Sequence, residues 1–108
     1  MNDVMEALYQ TIESRKTEPV ENSYTNYLLS QGLDKICKKV GEECAETIVA
    51  AKNGDPAPLA GEVADVLYHL LVLLAECGVA WAEVRDELER RAAKIGNKKV
   101  FHDVDRDT

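Results

Sequence analysis

Between Pro58 and Cys77 the chain places apolar residues on nearly every side of a helix. At about 100° per residue, Val63, Val66, Leu67, Leu70, Leu71, Leu73 and Leu74 cover roughly half the circumference. Tyr68 and Val72 carry apolar character around much of the rest. A helix that is apolar nearly all round is one that other elements cover. Its polar residues here, Glu62, Asp65 and His69, fall within one arc of roughly 60°. They form a narrow polar stripe on a segment that otherwise belongs in a core.

The rest of the chain reads as the helices that would do the covering. Val4, Leu8 and Ile12 recur at helical spacing and predict a helix over about residues 3–15. Lys16 to Asn22 contains Pro19 and reads as a loop. Ser23 is placed to cap a short helix through Tyr24, Tyr27 and Leu28, ended by Gly32. Asp34 reads as the N-cap of a long helix that runs to about Ala51 or Lys52, where Asn53-Gly54 stops it. Gly78 stops the apolar helix. A last helix is expected over about 80–95, with Gly96 after it. Alternating β-branched runs are absent, and Asn53-Gly54 follows a helical pattern rather than a strand. The expected fold is all-α, an antiparallel helix bundle of about four main helices joined by short connections. At 108 residues the chain suffices for one compact domain. That domain is expected over residues 1–96, with 97–108 as a polar C-terminal tail.

Acidic residues outnumber basic ones, 20 to 13, for a formal charge of −7. Sequence-independent nucleic-acid binding rests on clustered Lys and Arg, so no nucleic-acid partner is expected. No apolar stretch is read as long enough to span a bilayer, and the N-terminus lacks the basic region and apolar core of a signal peptide. A cytoplasmic location with no membrane partner is therefore expected. Cys37, Cys44 and Cys77 show no C-x-x-C spacing and are expected to be reduced, buried thiols.

The acids draw attention as two spaced pairs. Glu43 and Glu46 lie three apart on the second long helix, and Glu62 and Asp65 lie three apart on the apolar one. Residues three apart on a helix are surface neighbours. Taken singly, each acid is more often solvated surface than ligand. On the second long helix, Ile36, Val40, Cys44, Thr47, Ile48 and Ala51 read as the core-facing stripe. Glu43 projects about 20° from Ile36, at the edge of that stripe. An acid pressed against a core needs a partner. Two such pairs on facing helices would bring four carboxylates to one spot, and that arrangement calls for a cation. Oxygen-only ligands select a hard cation, Mg²⁺ with Mn²⁺ as a plausible substitute. Neither the cysteines nor His69 and His102 have zinc-site spacing. Gly41 lies beside the acids, where it would permit close helix approach or stand as a tolerated weak point.

Glu43-x-x-Glu46 followed by Glu62-x-x-Asp65 resembles the E-x-x-E…E-x-x-D signature of the all-α nucleoside-triphosphate pyrophosphohydrolases, the MazG-like superfamily. The flanks narrow the resemblance. Ile36-Cys37-Lys38-Lys39-Val40-Gly41-Glu42-Glu43 and Ala64-Asp65-Val66-Leu67-Tyr68-His69-Leu70-Leu71-Val72-Leu73-Leu74 are similar to the phosphoribosyl-ATP pyrophosphatase family of histidine biosynthesis. Ser23-Tyr24-Thr25 also fits. The resemblance covers roughly residues 4–95 and is weak in the tail. Cys44 stands where a small apolar residue such as Ala is more usual.

The resemblance implies hydrolysis of phosphoribosyl-ATP to phosphoribosyl-AMP and pyrophosphate, the second step of histidine biosynthesis. It also implies Mg²⁺ held by Glu43, Glu46, Glu62 and Asp65, with Glu42 as an outer-shell or second-metal ligand. Some family members are fused to a cyclohydrolase domain; a chain of this length is expected to be the stand-alone pyrophosphatase.

Phosphate oxygens would need donors, and Lys35, Lys39, Lys98 and Lys99 are the candidates. Lys35 and Lys39 are i,i+4 neighbours, which favours them over Lys38. His69, on the acidic stripe, is a candidate substrate contact, with a satisfied core histidine equally compatible. Trp81 and Phe101 read as packing residues. The apolar surplus of the two acid-bearing helices predicts a homodimer that packs them across a two-fold axis, and the resemblance implies the same. Two rival readings remain: a house-cleaning nucleoside triphosphate pyrophosphatase, and a non-catalytic helical interaction module.

Overall fold

The computed structural model describes residues 3–96, and those residues fold into five helices. They are α1 (Val4–Thr17), α2 (Tyr24–Gln31), α3 (Leu33–Asn53), α4 (Pro56–Cys77) and α5 (Trp81–Gly96). No strand occurs among the described residues. The expected polar tail, with Lys98, Lys99, Phe101 and His102, lies outside them.

Local chemistry sets most of the boundaries. The Asp3 carboxylate accepts from the Met5 N–H and caps α1, and Ser23 Oγ accepts from the Asn26 N–H and caps α2. Gly54 and Gly78 take left-handed conformations at the ends of α3 and α4, where a side chain would be strained. Asp34 is not the cap expected of it. Gly32 holds that position without a side-chain bond, and Asp34 sits in the first turn of α3, where its charge meets the helix dipole. The apolar helix begins two residues earlier than expected, because Asp55 caps it and Pro56 suits the first turn, where no N–H partner is needed.

The core gathers at one end of the bundle. Tyr9 and Ile12 of α1, Leu28 of α2, Ile36 of α3, and Leu71, Val72 and Ala75 of α4 are buried together. Half-buried Trp81 packs against them and donates its indole N–H to Asp3, as a packing residue should. Two longer ties close this end. The Tyr9 hydroxyl donates to the Val79 carbonyl at 2.8 Å, and the Lys16 ammonium donates to the Ala75 carbonyl at 2.5 Å. The second bond supplies a positive charge to the C-terminal end of α4. Asn26 pins the loop after α1, accepting from the Val20 N–H and donating to the Arg15 carbonyl.

Helices α3 and α4 make the most extensive contact among the described residues, along one edge of the stripe expected of α3, where Ile36 is buried and Val40 and Thr47 are half-buried. Ile36, Glu43 and Ala50 face inward, while Cys44, Ile48 and Ala51 are exposed. Residues seven apart return to nearly the same side of a helix, so Glu43 occupies the middle of the covered line. Cys37, Cys44 and Cys77 are all exposed free thiols, not buried ones. The first two lie on the side of α3 that α4 does not cover, and Cys77 ends its helix in the last turn. Gly41 likewise faces open space: among the described residues, no atom beyond its own stretch of helix lies within 4 Å of where its Cβ would be, so no close helix approach is made there.

The reading of no membrane-length segment also needs correction. α4 is long and apolar enough to cross a bilayer by length and composition. The acids near its N-terminal end concealed this, since they interrupt a run that Ala, Val and Leu otherwise dominate. In the bundle α4 packs against α1, α2 and α3. Ile48 and Val49 on α3, with Val63, Leu67 and Leu70 on α4, nonetheless stay exposed.

Candidate active site

Glu43, Glu62 and Asp65 each bring one carboxylate oxygen to within 4.8 Å of the others. The seven-residue return on α3 carries Glu43 inward, and the three-residue spacing on α4 sets Glu62 and Asp65 on neighbouring turns facing it. Glu43 is 8 % exposed, Glu62 half-buried and Asp65 exposed. The cluster therefore grades from the helix interface out to solvent.

Two oxygens of this cluster lack donors. Glu43 Oε2 and Glu62 Oε2 are both buried without a hydrogen-bond partner. A buried ionised oxygen without a partner is costly. Burial, followed by the nearby charges of Glu46, Glu43 and Asp65, holds the Glu62 carboxyl above its ordinary value. Orphaned oxygens converging from two helices fit a hard, oxygen-seeking cation. Glu46 stands close enough to Glu62 to contribute to that shift, yet it is exposed and outside the converging trio. Beside Glu46 and Glu62 an open cleft of about 530 Å³ runs between the C-terminal half of α3 and the start of α4. It is within the size range of small-molecule sites.

Among the described ion pairs, Lys39 is the cation beside the trio, facing Glu43. Its ammonium lies 3.3 Å from Glu42 Oε1 and 3.9 Å from Glu43 Oε1. The bond to Glu42 is the main cause that holds Lys39 above the ordinary lysine value. Exposed Glu42 acts here as the lysine's partner rather than as part of the trio. Lys35 is farther off; its ammonium lies 5.9 Å from the centre of the Tyr27 ring, in cation–π range.

His69 is 4 % exposed, with both ring nitrogens engaged. Nδ1 lies 2.7 Å from the Asp65 carbonyl oxygen, and Nε2 lies 3.0 Å from the Tyr24 hydroxyl. A carbonyl only accepts, so Nδ1 carries the hydrogen. In the neutral ring Nε2 then accepts from Tyr24. His69 thus has the hydrogen bonds of a satisfied core histidine. Tyr24 is the participant the sequence left without a role. Its ring lies 6.1 Å from those of both Tyr27 and Tyr68, and Tyr68 in turn bonds Thr25. The available signal was the Ser23 cap, which fixes where α2 begins and so which way Tyr24 points.

Comparison with known proteins identifies the family. The family profile described as phosphoribosyl-ATP pyrophosphohydrolase matches residues 5–92. A phosphoribosyl-ATP pyrophosphatase of Clostridium novyi is 54 % identical over 97 residues, covering 90 % of this chain and 88 % of the relative. One from Listeria welshimeri is 53 % identical over 98 residues, covering 91 % and 94 %. A histidine biosynthesis bifunctional protein of Lactococcus lactis is 50 % identical over 101 residues, 94 % of this chain. The chain spans about half of that relative's length, 48 %. With the profile spanning both acidic helices, the chain belongs to the phosphoribosyl-ATP pyrophosphohydrolase family.

Proposed function

We propose that this protein hydrolyses phosphoribosyl-ATP to phosphoribosyl-AMP and pyrophosphate in histidine biosynthesis, using a divalent cation, Mg²⁺ or Mn²⁺. The observation that carries the reading is the pair of orphaned oxygens, Glu43 Oε2 and Glu62 Oε2, converging with Asp65 between α3 and α4. Glu43, Glu62 and Asp65 would hold the cation, with Glu46 adding negative charge at the edge. Bound there, a divalent cation supplies charge neutralisation for phosphate oxygens and lowers the pKa of water. The chain's own residues do the rest. The α3–α4 contact holds the carboxylates in place, the Tyr24–His69–Asp65 chain fixes α2 against that part of α4, and Lys39 offers an ammonium to phosphate. Lys35, Lys98 and Lys99 complete the proposed set of phosphate donors.

Exposed Ile48, Val49, Val63, Leu67 and Leu70 support a homodimer that covers these two helices. A cytoplasmic location follows from the metabolic role. The family match favours phosphoribosyl-ATP over free nucleotides as substrate. The test is pyrophosphate release with Mg²⁺ from phosphoribosyl-ATP beside a panel of free NTPs and dNTPs. Strong preference for phosphoribosyl-ATP is expected. Equal or faster turnover of free nucleotides would indicate the house-cleaning activity, and no turnover at all would leave the interaction-module reading.

A further inference from the structure

Glu43 has an unusual set of neighbours for a buried acid. One of its oxygens has no partner, and the other faces the Lys39 ammonium at 3.9 Å. That separation is too long for a hydrogen bond and short enough for strong attraction. The same ammonium is nearer to Glu42, at 3.3 Å, and the Glu42 side chain is 45 % exposed. Lys39 therefore has a second carboxylate one residue away, on the solvent side. Its own side chain is 26 % exposed, so the ammonium stands at the rim of the site rather than inside it.

We propose that Lys39 is an exchangeable counter-ion of Glu43, paired with it until a divalent cation takes the carboxylate and then freed to bind a phosphate oxygen of the substrate. The inference rests on the metal-site reading above and adds a coupling to it. Three observations carry it. The Lys39–Glu43 pair is long and lacks a hydrogen bond, so it is readily broken. Glu42 offers the ammonium a resting partner at the rim. Among the described residues' ion pairs, Lys39 is the positive neighbour of the trio, so it is placed to compete with an incoming cation. Lys39 thus opposes the metal in the free protein and favours the substrate in the loaded one. Cation and substrate then bind in an order: Glu43 must change partner before Lys39 is free.

The exchange predicts effects of opposite sign from one substitution. Lys39→Met should tighten Mn²⁺ binding without substrate, read from the electron paramagnetic resonance of free Mn²⁺, by about five-fold or more, the lower end of typical coupling. The same substitution should raise KM for phosphoribosyl-ATP at saturating Mg²⁺ by about ten-fold, the usual scale for one lost charge-assisted contact. Lys39→Gln keeps a polar side chain and should behave the same way. Lys38→Met removes an exposed charge of the same helix and should change neither quantity. A lysine that merely supports the fold would weaken metal and substrate binding together.

Mn²⁺ affinity unchanged or weaker in both Lys39 variants, or a wild-type KM, overturns the exchange. A wild-type protein that binds no Mn²⁺, or a Glu43→Gln variant that binds it as wild type does, overturns the metal site itself. The two failures are therefore distinct.

Discussion

The Tyr24 hydroxyl lies 3.0 Å from Nε2 of His69, linking two residues 45 positions apart. His69 Nδ1 bonds the carbonyl of Asp65, so a side chain on α2 is tied through a buried imidazole to the turn of α4 that carries a site carboxylate. Tyr24→Phe keeps the ring and removes the donor, leaving Nε2 to water. It should lower stability by about 1 kcal/mol, the usual net value of such a bond, seen as an earlier urea midpoint at unchanged slope. An unaltered midpoint would mean that the bond is not formed in solution.

Glu62 sets an expectation for pH. Its folded-state carboxyl lies above the ordinary value of 4.5, so the folded chain holds its proton longer than the unfolded chain does. Stability rises with pH only where the unfolded state binds more protons. Here the native state binds more, so this group's contribution falls as pH rises from about 4.5 through the raised folded value. Thermal melts of metal-free protein should show that decline, and Glu62→Gln should flatten it. Added Mg²⁺ should raise the melting temperature most above the window, where the carboxylate is ionised. A stability that instead climbs across the window, with Glu62→Gln unchanged from wild type, would contradict the crowding of these acids.

The converging trio ranks the acids. Glu43→Gln and Asp65→Asn should each abolish measurable Mn²⁺ binding and lower pyrophosphate release by more than about 100-fold. Glu46 stands beside the trio, so Glu46→Gln should cost about 10–100-fold, the scale of outer-shell partners. Equal losses at all three positions would place Glu46 among the direct ligands.

The covered and uncovered faces of α4 should respond differently. Val72 is fully buried, and Val72→Ala should cost about 1–3 kcal/mol of stability through lost burial and the cavity left behind. Leu67 is 41 % exposed in the single chain, and Leu67→Glu should leave the helical fold intact while halving the mass measured by light scattering. A wild-type protein that is monomeric at micromolar concentration would remove the basis for the second outcome.

Much of this molecule was legible because the signals are local. Ser23, Gly32, Gly54 and Gly78 mark helix ends through their own hydrogen bonds and backbone angles. The Glu62, Asp65 and His69 stripe follows from helical spacing within eight residues. The sequence placed Ile36 inward with Glu43 at the edge of the covered side of α3, as found, but drew that side too wide toward Cys44, Ile48 and Ala51, which are exposed. α3 carries apolar residues on more than one side, and nothing local says which of them a neighbouring helix will cover. Cys37 and Cys44 were misplaced for the same reason, and Cys77 because it falls in the exposed last turn of α4.

The amino-acid sequence alone therefore determined an all-α chain, its helices and stops, and the acids three apart, because each depends on contacts a few residues long. The tertiary packing decided that Glu43 rather than Ile48 faces α4, that Lys39 is its only charged neighbour of opposite sign in the described ion pairs, and that Tyr24 reaches His69. Those relations join separate helices, and burial across a helix interface depends on which faces meet.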